Sequence, residues 1–432
     1  SATAEGLSVA VTLGGYAVGD TSTTANASAS GIESGDGDDK VFNIASSEDA
    51  TINVDARSYA SGESISVGLI GVQEANTTNT ANASATGINT GAGDDEVLND
   101  AVMIVSAGNP LTADGSANCG AGSEGACAES FAVSATLAGY GSVDASSIAN
   151  ANALGITGGE GNDIVQNDQA ITVTSLARGS AEGISVTLLG ASDAAANTTS
   201  NAGVAGLAGE GGRDTLINNS DLNAHSAAET YADSFSLTIA GATSASANTT
   251  TTADAVGMDG GADDDKIFNF DTGHIDVSAT TTSEAHASSW TFAGAASAET
   301  TLGALTSASG IDGGSGDDII GNFGDIDVQT QSSLAATGGA DAIFGNAEAG
   351  SSITATTNAY GIDAGAGDNT IENGGQITVD AVANMLASTT SYSFAGGAST
   401  SEFITANATA AAIVTGDGQF SVTNSGDTLT NI

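Results

Sequence analysis

The chain has 432 residues, with 52 Asp and Glu against 5 Lys and Arg and a formal net charge of -47. So acidic a surface repels nucleic acid and anionic membranes, and no run of about eighteen apolar residues is available to insert into a bilayer as a helix. The 59 Gly, single Pro and 4% aromatic content exclude collagen and require a thin core of Ala and β-branched side chains.

A repeat organises everything else. The segment from Gly31 to Asn43, Gly-Ile-Glu-Ser-Gly-Asp-Gly-Asp-Asp-Lys-Val-Phe-Asn, returns with variations from Gly87, Gly155, Gly206, Gly257, Gly310, Gly361 and Ala412. Eight copies in one chain are the signature of a repeat architecture, so the fold must be argued from the period.

Counting the first residue of each copy as position zero, the next position is Ile32, Ile88, Ile156, Leu207, Met258, Ile311, Ile362 and Ile413. Glycines then recur at positions four and six, as a turn needing positive φ demands. Position ten is always Val, Leu or Ile, which reads as a strand leaving the turn.

Position twelve is Asn43, Asn99, Asn167, Asn218, Asn269, Asn322, Asn373 and Asn424. One identical polar residue at one register predicts a stacked Asn row, because an unpaired buried amide costs about 1–3 kcal/mol.

Two further strand signals follow in each period, as in Ile275-Asp-Val277 and then Trp290-Thr-Phe292. A fourth segment alternates Ala with Ser, Thr and Asn, as in Thr80 to Thr86, and runs into the next turn. No stretch shows the 3.6-residue stripe of a helix.

Four short strands per period with turn chemistry at constant offsets predict an all-β fold, a single continuous β-solenoid over residues 1–432. A tandem array of β-sandwiches is the alternative, although about fifty residues is short for a sandwich. Strand spacing favours one coil per period and perimeter favours two; the sequence leaves this open.

The spacing widens to 68 residues between Gly87 and Gly155, which places an inserted surface loop at residues 108–130. It carries both cysteines, Cys119 and Cys127. They read as a disulfide pinning the loop, with two free thiols as the alternative, and a disulfide implies an oxidising compartment.

The turns Gly35-Asp-Gly-Asp-Asp-Lys-Val41, Gly91-Ala-Gly-Asp-Asp-Glu-Val97 and Gly314-Ser-Gly-Asp-Asp-Ile-Ile320 resemble the haemolysin-type repeats-in-toxin nonapeptide of secreted bacterial β-roll proteins. That resemblance implies secretion and Ca²⁺ binding. It makes position eight a ligand in Asp39, Asp95, Asp163, Asp214, Asp265 and Asp318, with Asp38, Asp94, Asp264, Asp317 and Asp368 beside them. The family's nonapeptides run in tandem, whereas here one copy occurs per fifty-odd residues. Solvated Asp-Gly turns are the competing reading.

Asn-x-Ser/Thr sequons, candidate glycan acceptors, occur at Asn26, Asn76, Asn82, Asn197, Asn218, Asn248 and Asn407. Asn150 and Asn201 occupy the register of Asn26 and Asn82 without a sequon, which fits a structural row better. His225, His274 and His286 hold no repeated position, and no Gly-x-Ser-x-Gly elbow, phosphate loop or Cys/His dyad is present. The chain is therefore read as a non-enzyme with no catalytic residue.

Ile432 lies at offset twenty after Ala412, and Ser1 at the equivalent of offset twenty-one before Gly31. Two copies placed head to tail would continue the repeat in phase. The expectation is a homopolymer: a subunit of an extracellular or cell-surface filament, joined through its terminal coils and stabilised by calcium. The repeat region of a large secreted adhesin or surface-layer protein is the alternative, followed by a polysaccharide-active β-helix enzyme.

Overall fold

The structure, a computed structural model, describes residues 1–45, 51–108 and 125–431. It is an all-β parallel solenoid with one coil per period. Every strand pairs in parallel with its counterpart in the next coil, as Ile171 does with Leu222 and Leu222 with Ile275.

Each coil has three arms instead of the four short strands expected. In one coil these are a long arm, His274–Ala293, a return arm, Ala296–Asp312, and a short arm, Ile319–Asn322. The signals at Ile275-Asp-Val277 and Trp290-Thr-Phe292 lie in a single long arm, and the Ala-alternating segment is the end of the return arm. No turn residue interrupts them, so the alternation of faces simply continues.

The two long arms form one sheet system and the short arms a second, eight-stranded one. The corner between long and return arms is a glycine with positive φ, such as Gly294 at 144°.

Three layers fill the cross-section. Beside the short arm, Ile267 packs with Ile275 and Val277 of a long arm and Ala255 and Met258 of a return arm. At the opposite edge the two long arms meet through alanines, among them Ala245, Ala247, Ala285 and Ala287. A Cβ on Gly183 would lie 2.7 Å from the Ala195 carbonyl, so the arms approach closely there, while Leu302, Leu334 and Ile353 fill the same layer in later coils.

Between the two apolar layers runs a buried hydroxyl ladder. Thr281 bonds to Thr306 and to Ser332 at 2.8 Å each, and Thr230 bonds to Thr251 and Ser283 at 2.8 and 2.9 Å. Hydroxyls can both donate and accept, so these groups link one another across and along the stack, while Ser200 donates to the Glu229 carbonyl and Ser147 and Thr198, in the register of Thr249, are buried without a partner.

The insertion begins after the strand Val102–Ala107, but Ala126 already opens the next long strand, Ala126–Glu160. Residues 126–130, expected in the loop, are therefore sheet, because Ala126 pairs with both Ser58 and Ala177. Cys127 is buried and disulfide-bonded. Its expected partner Cys119 lies outside the described residues.

Candidate functional site: the acidic turns and the asparagine ladders

The turn at positions four to eight links the return arm to the short arm. Positions four and six take positive φ in every copy: Gly314 and Gly316 have φ of 83° and 148°. Where glycine is missing the conformation persists, at Glu210 with φ 72° and Asp263 with φ 77°. Stacking therefore imposes the left-handed backbone, and these two residues bear its steric cost.

The two acidic positions do different things. At position eight the carboxylate points inward, and Asp95, Asp163, Asp214, Asp265 and Asp318 are at most 2% exposed. Each Oδ1 accepts the backbone N–H of the same residue in the preceding coil. The links Asp39 to Asp95, Asp95 to Asp163, Asp163 to Asp214, Asp214 to Asp265 and Asp265 to Asp318 measure 2.6 to 2.9 Å.

At position seven the carboxylates are exposed and the polarity reverses. Asp38 accepts the N–H of Asp94, Asp264 that of Asp317 and Asp317 that of Asp368, at 3.1, 3.0 and 2.8 Å. Asp94 and Asp368 accept from Asn162 and Gln419. The turn's aspartates thus staple each coil to both neighbours by charge-assisted bonds.

One oxygen of the inward row is left over. Oδ2 of Asp39, Asp95, Asp163, Asp214, Asp265 and Asp318 is buried without a hydrogen-bond partner. Burial, with the repulsion of neighbouring carboxylates, pushes Asp163, Asp214 and Asp318 up to about 6 and Asp265 up to about 8, against the pull of the bonded backbone N–H.

Ca²⁺ takes six to eight oxygen ligands. Among the described residues no three His, Cys, Asp or Glu side chains converge to hold an ion. The expected ligands are brought into two columns of opposite polarity on either side of the turn, with every Oδ1 of the inward column from Asp95 onward already bonded to a backbone N–H. Arg213 lies 3.6 Å from Asp264, an exposed pair.

The Asn row at position twelve forms as expected. Asn43, Asn99, Asn167, Asn218, Asn269, Asn322 and Asn373 each donate Nδ2 to the Oδ1 of the next, ending at Asn424, over 2.6 to 2.9 Å. Six of the eight are fully buried. Asn218, one of the sequons, is among them and is closed to a glycan in the folded chain.

A second ladder of the opposite polarity runs along the return arms. Asn82 donates to Asn26, Asn150 to Asn82 and Asn201 to Asn150, at 2.7 to 2.9 Å. These side chains line a surface groove of about 610 Å³ with Ser28, Ser84 and Asn152. The sequons at Asn76, Asn197 and Asn248 join a third row, Asn76 donating to Asp20, Asn197 to Asp144 and Asn248 to Asn197. Asn407 sits on the exposed last return arm, Ala398–Val414.

The histidines stay dispersed. His225 is buried against Ser278 at 2.7 Å, His274 pairs with Asp327 at 3.1 Å, and the His286 ring is tilted against that of Tyr231 with centroids 5.8 Å apart. The feature that sequence reasoning missed is the buried hydroxyl ladder, whose Ser and Thr residues are spread over two arms with no common motif. No protein-family model, curated protein or solved structure matches the chain.

Proposed function

We propose that this protein is a structural subunit of an extracellular filament or surface fibre, assembling head to tail through its terminal coils. The observation that carries the reading is the repetition of one interface. Each coil offers the next a parallel strand edge and an Asn side chain; the outermost coils keep both, with Asn43 at one end and Asn424 at the other, while Gln419 and Phe420 stand in for the turn aspartates of the last coil.

Among the described residues, Ala2–Thr12, Gly15–Glu33 and Lys40–Ile44 at one end are paired on one side only, as are Ala398–Val414 and Phe420–Asn424 at the other. Open strand edges pair with other chains, and a heterologous contact that does not close gives a fibre. The charge of -47 opposes sideways clumping. A disulfide at Cys127 fits an oxidising, extracellular setting.

Negative-stain imaging of the purified chain tests this. Long uniform fibres are expected, with an axial repeat of about 38 Å from eight coils at about 4.8 Å each. Isolated rods at high concentration, with and without calcium, would overturn it.

A further inference from the structure

We propose that the joint between two copies is a shared coil, in which Ala2–Thr12 of one copy pairs in parallel with residues 383–393 of the other. This rests on the head-to-tail reading and adds its register and its contacts.

The last long arm, Ile377–Ala395, is covered at its beginning, where Thr428–Asn431 pairs with Ile377 through Asp380; among the described residues no strand pairs with the edge beyond, where Glu402 accepts the N–H of Thr389 at 2.9 Å, a cap that the joint would displace. At the other end Ala2–Thr12 is the first described strand and pairs on one side only. It aligns Ala2 with Ser58. Followed coil by coil through Ala126, Ala177, Ala228, Thr281 and Ser332, that register reaches Ala383. The edge of residues 383–393 and the unpaired edge of Ala2–Thr12 therefore share one register.

Side chains agree with the fit. The half-buried face of Ala2–Thr12 presents Ala2, Ala4, Gly6, Ser8 and Ala10, all small. They would stack over Ala383, Met385, Ala387, Thr389 and Ser391, the half-buried face of the last long arm. On the outer face Val11 would meet Tyr392, an aromatic and β-branched pair.

The amide ladders supply polarity. Asn424 accepts from Asn373, so at the joint its own Nδ2 would donate to Asn43 of the second copy, the residue that begins the row. In the return-arm row, Asn201 is followed by Thr252, Leu305 and Thr356 before Asn returns at Asn407. Asn407 thus has no Asn neighbour in its own chain, and the shared coil places it beside Asn26. Both ladders continue only when the copies point the same way.

Cysteine pairing in the 432-residue chain tests the register. Thr3 and Asn384 are both exposed, and the proposed register makes them direct neighbours at a Cα separation of about 5 Å, within disulfide reach. Oxidised Thr3→Cys/Asn384→Cys protein should give a ladder of covalent multimers on a non-reducing gel, whereas Thr3→Cys/Leu386→Cys, about 8 Å apart, should not. Fibres in which only the offset pair cross-links would overturn the register and leave the filament standing. Absence of fibres and multimers in both variants and in the unsubstituted chain would overturn both.

Discussion

Asn369 donates its side-chain Nδ2 to the carbonyl of Ala364 at 2.8 Å, while its Oδ1 accepts the N–H of Asp318 at 2.8 Å. It occupies position eight, where earlier coils carry aspartate. Its amide therefore satisfies at both atoms a site at which Asp265 satisfies only one, since the second carboxylate oxygen has no partner. A proton on that oxygen would reproduce the amide's bond, and a cation would be the other way to occupy it.

Asp265→Asn is expected to stabilise the protein in mildly alkaline solution and to change little in acid. The folded carboxyl titrates at about 8, far above its unfolded value near 4. The folded chain thus holds a proton that the unfolded chain releases. Its stability contribution is complete below about pH 4 and declines as pH rises through about 8. Thermal melts should show a gain of about 1–3 kcal/mol at the alkaline end, the usual cost of an unsatisfied buried acceptor. A calcium-dependent rise in Tm of the unsubstituted protein that Asp265→Asn abolishes would assign the oxygen to the ion instead.

Removing one link of the asparagine row should cost more in the middle than at the end. Asn269→Ala strands the donor of Asn218 and the acceptor of Asn322, both buried, for about 2–4 kcal/mol in urea unfolding. Asn43→Ala breaks a single link to Asn99 at a part-buried position and should cost about 1 kcal/mol. Equal midpoints for the two variants would show that the row contributes no such stacking energy.

Turn backbone strain offers a change in the opposite direction. Glu210→Gly should stabilise by about 1 kcal/mol, because only glycine adopts φ near 72° without a steric cost. Gly314→Ala should destabilise by more, since its Cβ would lie 2.0 Å from the Gly261 carbonyl in the neighbouring coil. Differential scanning calorimetry of both decides it: a lower Tm for Glu210→Gly would mean that its side chain, which accepts a bond from Thr157 at 2.7 Å, outweighs the strain.

From the sequence alone, the constant spacing of Ile, Val, Asn and turn glycines determined a stack of like coils. A side chain repeated at one offset can pair only with its own copies, and so the Asn row was legible residue by residue. The number of coils in each period was not, because Ala, Ser and Thr alternate identically in a short strand and in a twenty-residue arm such as His274–Ala293. The pairing of each long arm with its counterpart one period later decided that, because it leaves a single coil between repeats.

Tertiary structure also decided what the turn acids do. Asp264 and Asp265 are adjacent in sequence, yet one lies in solvent capping the N–H of Asp317 and the other is buried capping that of Asp214. Their partners sit a whole coil away in opposite directions. Only stacking could assign them, since the local turn is the same for a solvated loop, a metal site and a staple between coils.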